Sequence, residues 1–380
     1  MIYLDNAATS FPKPVQCFRQ ALQEYLALGA SPGRGGYDAA VQAQERVQAV
    51  RQQVAAFFGG QGYVTCFAYN ATDALNTLIQ GLVESGGHVV STRMEHNSVL
   101  RPLHHLSKAG ICTFDLAPFN GQGLVEPEAM ARALRPNTNL VVLSHASNVL
   151  GTVQPVAEIA LICRERGIPL ILDASQSAGV VSIRLREWGV AGLAFTGHKS
   201  LLGPTGIGGL VIAPELQVRP SRFGGTGVDS ASLVHSQECP ERLEAGTINL
   251  LGILTLGRCM EHLQSAPAQR AEQQERELHR HLLQGLSVLE GMVLHCPGHG
   301  PERIPLVSCN LKGWTPGDAG AVLDGDYGIA VRTGLHCAPL LHQDLGHGAS
   351  GSVRISLGRY NTDDHVEALL QALAAMLGAT

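Results

Sequence analysis

No apolar run in the chain approaches the ~20 residues that a membrane-spanning helix needs, so no membrane partner is expected. There is no excess of positive charge either. The formal net charge is −5 over 380 residues, whereas a nucleic-acid surface is normally basic. A nucleic-acid partner is therefore not expected. Charged residues, at 16%, and aromatic residues, at 5%, are both sparse. The nine cysteines include no CxxC pair, and an odd, scattered set makes a poor disulfide framework. Reduced thiols in a cytoplasm are the expectation, with a lone cysteine in a polar loop worth testing for reactivity. Met1-Ile2-Tyr3-Leu4-Asp5 lacks the basic-then-apolar pattern of a secretory signal. No repeat or low-complexity tract is present. The length leaves room for two or three domains and a large core.

What is present is an alternation. After a short strand at 2–4, helical spacing runs over 15–28 and 39–58, separated by the glycine-rich loop 29–36 with Arg34. Short apolar runs at 63–67, 88–91, 111–114, 140–143, 170–172, 193–195 and 210–212 then read as strands. Helical patterns at 71–83, 100–109, 126–134 and 156–166 lie between most of them. Apolar strands separated by helices predict a mostly parallel seven-stranded sheet covered on both faces. Beyond residue 250 the texture changes. Helices at 250–263, 271–289 and 365–377 accompany strands at 292–295, 306–310, 330–333 and 352–357, which predicts a smaller α+β unit. The expected division is 15–250 for a large domain, with 1–14 and 251–380 forming a small one.

Seven segments, most of them at strand ends, carry candidate chemistry. Asn70-Ala71-Thr72-Asp73 opens a helix, where free N–H groups attract anions; ordinary helix capping is the plainer account. Arg93-Met94-Glu95-His96 sets an imidazole past a strand, able to stack or move protons, or to be a surface histidine. Ser147-Asn148 places an amide donor in another such loop, where turn asparagines are also common. Asp173 follows a wholly apolar strand and needs a partner such as a protonated ring nitrogen; Gln176 lies three residues on. Thr196-Gly197-His198-Lys199 offers a lysine that burial would make nucleophilic, or a solvated turn lysine. Arg354 interrupts an apolar strand and suits a carboxylate or a structural ion pair. Cys337, between His336 and Ala338-Pro339, is either a reactive thiol or a small core residue.

The ordered set, from Tyr3-Leu4-Asp5-Asn6-Ala7-Ala8-Thr9 through Thr196-Gly197-His198-Lys199 to Arg354-Ile355-Ser356-Leu357 and Tyr360-Asn361-Thr362, resembles the class V aminotransferase-like enzymes of fold type I. These depend on pyridoxal 5'-phosphate (PLP). The likeness is nearest to cysteine desulfurases of the second group and to selenocysteine lyases. It implies that Lys199 is the Schiff-base lysine, that Asp173 pairs with the ring nitrogen and that Gln176 meets the ring hydroxyl. It implies that His96 stacks on the ring and serves proton transfer at the substrate sulfur. The phosphate would take Ala71, Thr72, Thr196 and His198, plus Thr247 from a second subunit, in a homodimer with shared active sites. Arg354 would bind the substrate carboxylate, with Asn148 beside it and Arg34 from the loop. Cys337 stands at the nucleophile position. Thr196 replaces a common serine, and Leu335 stands where a second histidine is frequent.

The implied reaction turns L-cysteine into L-alanine, with sulfur held as a persulfide on Cys337 for an acceptor protein. A selenocysteine lyase releasing selenide is the near alternative. From another class, His336, Cys337, His342 and His347 would suit a non-catalytic sulfur carrier or metal binder, although their spacing matches no common zinc site and no metal is expected. The glycines of 203–209 do not open a helix, so a dinucleotide-binding dehydrogenase is disfavoured.

Overall fold

The expected seven strands are all present and form one sheet. In spatial order they are Val64–Ala68, Gly208–Ile212, Gly192–Thr196, Leu170–Asp173, Thr138–Ser144, Gly87–Thr92 and Cys112–Ala117. This is a computed structural model, which describes residues 1–29, 31–33, 35–227, 231–295 and 302–378. Arg34 lies outside the described residues. Gly208–Ile212 runs antiparallel to both neighbours, and the other strand pairs are parallel. The reason is the short return at 197–207: a parallel partner would need a crossover of a dozen residues or more. Gly87–Thr92, Leu170–Asp173, Gly192–Thr196 and Gly208–Ile212 are buried throughout. Both faces are covered by apolar cores, which is why these strands show continuous rather than alternating hydrophobicity.

The C-terminal part carries a four-stranded antiparallel sheet in the order Arg332–Gly334, Ser352–Ser356, Leu306–Leu311 and Met292–Leu294. The N-terminal strand Ile2–Tyr3 pairs in parallel with Ile329–Ala330. Leu4 is fully buried in the C-terminal core. The helix Leu250–Leu263 packs into the core of the large sheet through Ile253, Leu256 and Met260. Among the described residues, no helix is long and apolar enough to cross a membrane.

Three local expectations change. The helix expected from residue 100 begins at Asn97, because the His96 imidazole caps it. The strand expected at 330–333 is split: Ile329–Ala330 serves the N-terminal strand, and Arg332–Gly334 serves the small sheet. Pro316–Tyr327 is a helix that periodicity does not reveal. Glycines at 317, 320 and 325 hide it. Its ends carry clear signals, however: Thr315 caps the Asp318 N–H, Pro316 opens the first turn, and Gly328 closes it with φ +64°.

Candidate active site

A cavity of about 240 Å³ opens where the parallel strands end. That is the edge of an open α/β sheet where ligands bind. Its wall includes Ala71, Thr72, His96, Asn148, Asp173 and Gln176, with Thr196, His198 and Lys199. Nine of the residues singled out in sequence therefore converge, from segments up to 128 positions apart along the chain. The sheet order makes this possible: strands ending at Thr196, Asp173, Ser144 and Thr92 are successive neighbours.

The helix end is built for an anion. Asn70 accepts the Asp73 N–H at 3.0 Å, leaving Ala71 and Thr72 in the first turn at the cavity wall. Gly208 lets this turn approach the sheet. A Cβ there would lie 2.6 Å from the Phe195 carbonyl and 2.8 Å from Asn70 Cα. The Thr72 hydroxyl meets that of Ser98 at 2.7 Å. Thr196 Oγ1 and His198 Nδ1 are buried without a hydrogen-bond partner. Unmet buried polar atoms beside a helix N-terminus are sites awaiting acceptors. Burial, with the nearby Lys199 charge, pushes His198 down to about 4, so at neutral pH its ring is uncharged.

Lys199 follows the strand Gly192–Thr196, in a turn closed by hydrogen bonds from Leu202 to Lys199 O and from Gly203 to Gly197 O. Burial lowers its amine to about 8, although the Asp173 carboxylate opposes the shift. Leu202 has φ +61° here. Asp173 is 5% exposed, and its Oδ1 accepts the Ser175 N–H at 2.8 Å and the Ser175 hydroxyl. Gln176 is oriented by donating to Ala7 O at 3.1 Å.

His96 Nδ1 accepts the Ser98 N–H at 3.0 Å. A backbone N–H can only donate, so the neutral ring carries its proton on Nε2. Burial lowers the pKa of His96. Behind it, Glu95 is fully buried, accepting from the Thr92 hydroxyl, the Ser144 N–H and the Ser144 hydroxyl. These bonds tie the His96 turn to the neighbouring strand end. Burial raises Glu95 to about 7. Ser98, Ser144, Ser175 and Glu95 escaped the sequence reading; the Glu95-His96 pair just past a strand was the available signal.

Arg354 is 2% exposed and is not among the residues of the Lys199 cavity's wall, although its charge acts on Lys199. It donates to Asp5 Oδ1 at 3.0 Å and to Asn148 O at 3.1 Å, and its Nε has no partner. Asn148 donates to His336 O at 2.6 Å. That bond grips a strained segment, because His336 has φ +48° and Cys337 φ +58°. Two consecutive non-glycine residues in the left-handed region are costly and cluster at functional sites. Their effect is to present Cys337 exposed, with its carbonyl accepting the Asn97 N–H at 2.8 Å. Cys337 lines a second cavity of about 430 Å³. Thr72, His96 and Ser98 form part of both cavities. Thr247 stands apart: it is exposed and lines a different cavity, with Phe67 and Tyr69.

The sequence profile described as aminotransferase class-V matches residues 2–369. A probable cysteine desulfurase of Methanothermobacter thermautotrophicus is 31% identical, over 99% of this chain and 95% of that one. The solved apo structure of a cysteine desulfurase from Thermococcus onnurineus superposes with a TM-score of 0.92 at 32% identity, covering 100% of this chain and 95% of that one. The cysteine desulfurase CsdA of Escherichia coli, in its S-sulfonic acid form, gives a TM-score of 0.87 at 27% identity, covering 99% and 94%. The chain belongs to the class V aminotransferase family of PLP-dependent, fold-type I enzymes.

Proposed function

We propose that this enzyme is a cysteine desulfurase, which converts L-cysteine to L-alanine and holds the sulfur on Cys337 as a persulfide. The observation that carries the reading is the strained, exposed Cys337, on a cavity that shares His96 with the Lys199 cavity.

The residues fit the cofactor. The unpartnered Thr196 and His198 atoms and the first turn at Ala71 and Thr72 suit its phosphate. Buried Asp173 suits a protonated ring nitrogen, and Gln176 a ring hydroxyl. Lys199, its amine lowered by burial, suits the carbonyl. Bound PLP supplies an electron sink for the carbanion at the substrate Cα. Arg354 and Asn148 hold the substrate carboxylate, Arg354 offering its unpartnered Nε. Lys199 takes the Cα proton as a neutral amine. The Cys337 sulfur attacks the substrate sulfur, forming an S–S bond as the S–Cβ bond breaks. The electron pair of that bond stays with the three-carbon product, which becomes alanine. His96 manages the proton at the substrate sulfur through Nε2. In this reading the persulfide passes to an acceptor protein.

A homodimer accompanies this reading. In this reading Thr247, which is exposed and lines a cavity apart from that of its own chain's Lys199, serves a partner subunit's phosphate site. The domain division proposed with it is 15–250 for the large domain, with 1–14 and 251–380 for the small one, the helix Leu250–Leu263 of the latter packing on the large-sheet core.

The experiment is to record the visible spectrum, add L-cysteine or L-selenocysteine, and assay alanine with sulfide or selenide. Lys199→Ala should lose the band near ~420 nm. Cys337→Ala should keep that band and lose cysteine desulfuration. Full desulfuration by Cys337→Ala would remove the persulfide step. Selenide release that outpaces cysteine turnover and survives in Cys337→Ala would favour a selenocysteine lyase.

A further inference from the structure

Thr9, Ser10 and Lys13 stand outside the wall of the Lys199 cavity, yet they hold the turn that carries Lys199. His198 O accepts from Thr9 Oγ1 at 3.0 Å, from the Ser10 N–H at 3.1 Å and from Lys13 Nζ at 2.6 Å. The Ser10 hydroxyl lies 3.2 Å from His198 O and 2.8 Å from Lys199 O. It has one proton, and the shorter contact directs that proton to Lys199 O. Lys13 Nζ donates to the same hydroxyl oxygen at 2.7 Å. The carbonyls on either side of the Lys199 Cα are thus held from one segment. Those two peptide planes set the direction of the Cα–Cβ bond, and so of the amine.

Lys13 is the unusual member of this set. It is half-buried between Pro12 and Pro14. Its amine is turned inward onto a hydroxyl and a carbonyl, both neutral. A lysine normally keeps its charge in water, and giving up that water for neutral acceptors is unfavourable. What the arrangement gains is a charged donor on the His198–Lys199 peptide, a stronger bond than a neutral donor makes. The segment is anchored on its other side to the small sheet, where the Ala7 N–H donates to Ser356 Oγ at 2.9 Å.

We propose that Lys13 is a positioning residue for Lys199: its ammonium, directly and through Ser10, clamps the His198–Lys199 peptide and aims the Lys199 amine into the cavity. This rests on the role proposed above for Lys199 toward the cofactor carbonyl. Burial lowers Lys13 to about 8, so at neutral pH it is still a charged donor. Its charge joins burial and Lys199 in lowering His198 to about 4.

The test strips PLP from the full-length holoenzyme and times the return of the band near ~420 nm at saturating PLP. That limiting rate reports how well the amine is aimed, separately from how tightly the phosphate binds. In Lys13→Met it should fall about tenfold, as loss of a charged hydrogen bond implies. Lys13→Arg, which keeps a cationic donor, should recover most of the rate. Circular dichroism of the band, per bound PLP, should weaken in Lys13→Met, while the Tm of the apoenzyme reads any plain loss of stability. Ser10→Ala should also slow the return. Combined with Lys13→Met, it should slow it by less than the product of the two single effects, because both act on one peptide. An unchanged rate and dichroism in Lys13→Met, whatever its Tm, would overturn the proposal. So would equal slowing in Lys13→Arg and Lys13→Met, or fully multiplicative losses in the double variant. If Lys13→Met does not fold, an unchanged rate in Ser10→Ala overturns it. Lys199→Ala that keeps the band would instead overturn the reading of Lys199 itself, and this inference with it.

Discussion

Removing the Glu244 carboxylate should destabilise the protein by about 4–6 kcal/mol, although Glu244 lies outside the catalytic cavity. Glu244 and Arg51 form a bidentate pair with side chains 8% and 9% exposed, and Arg51 also donates to Thr65 O at 2.8 Å. The Phe67 N–H donates to the same carboxylate. In Glu244→Ala the guanidinium stays buried without its counter-charge, a loss of ~3–5 kcal/mol. The orphaned Phe67 amide adds ~1 kcal/mol or more. At an unfolding entropy of ~2.1 cal/mol/K per residue, the 380 residues convert this to a fall in Tm of about 6 °C. Thermal and urea unfolding of the holoenzyme measure it. The double variant Arg51→Met/Glu244→Leu should recover at least half of the loss, because no charge is then buried alone. A loss below ~1 kcal/mol in Glu244→Ala would mean that the pair behaves as a solvated surface bridge, which would refute the reasoning. On the role proposed for Thr247, three residues beyond Glu244, weakened PLP retention should accompany the fall in Tm.

Other outcomes follow from single contacts. Asn148→Ala removes the donor that grips His336 O; cysteine turnover should fall about tenfold with the cofactor band intact, as steady-state kinetics and a spectrum would report. Gly208→Ala drives a Cβ into Phe195 O and the Asn70 backbone; titration with PLP should show weaker affinity, and unfolding a loss of ~1–3 kcal/mol. Glu275 is buried and raised from 4.5 to about 7 by that burial, so between those values the folded state holds a proton that the unfolded state releases. Stability contributed there falls as pH rises through the window and stays low above 7. Glu275→Gln should therefore raise stability by ~2–3 kcal/mol at pH 8 and leave it unchanged near pH 4, as urea titrations at the two pH values would show.

Strand and helix order needed nothing beyond the chain's own pattern. Apolar runs such as 170–172 and 193–195 are strands wherever they occur, because flanking helices must cover both their faces. The chemistry-bearing residues were legible for a related reason: each sits just past such a run. Leu250–Leu263 and Val15–Leu28 matched their helical spacing to the residue. Pro316–Tyr327 did not, since glycine suppresses periodicity and only its caps remained to be read. What sequence left open was which alternative each candidate takes. Asn70 proved to be the cap, which frees Thr72 to meet Ser98. His96 proved to cap as well as to line the cavity, and this sets its proton on Nε2. The left-handed backbone at His336 and Cys337 is not legible in the local sequence; its carbonyls are held by Asn148 and by the Asn97 N–H, 188 and 240 positions away. Lys199 acquires its lowered amine, and Glu95 its raised carboxyl, from burial that exists only once the strands have assembled. Local pattern determined which elements form and which groups stand at their ends. Tertiary packing alone decided their desolvation, tautomer and strain, because those depend on neighbours distant in the chain.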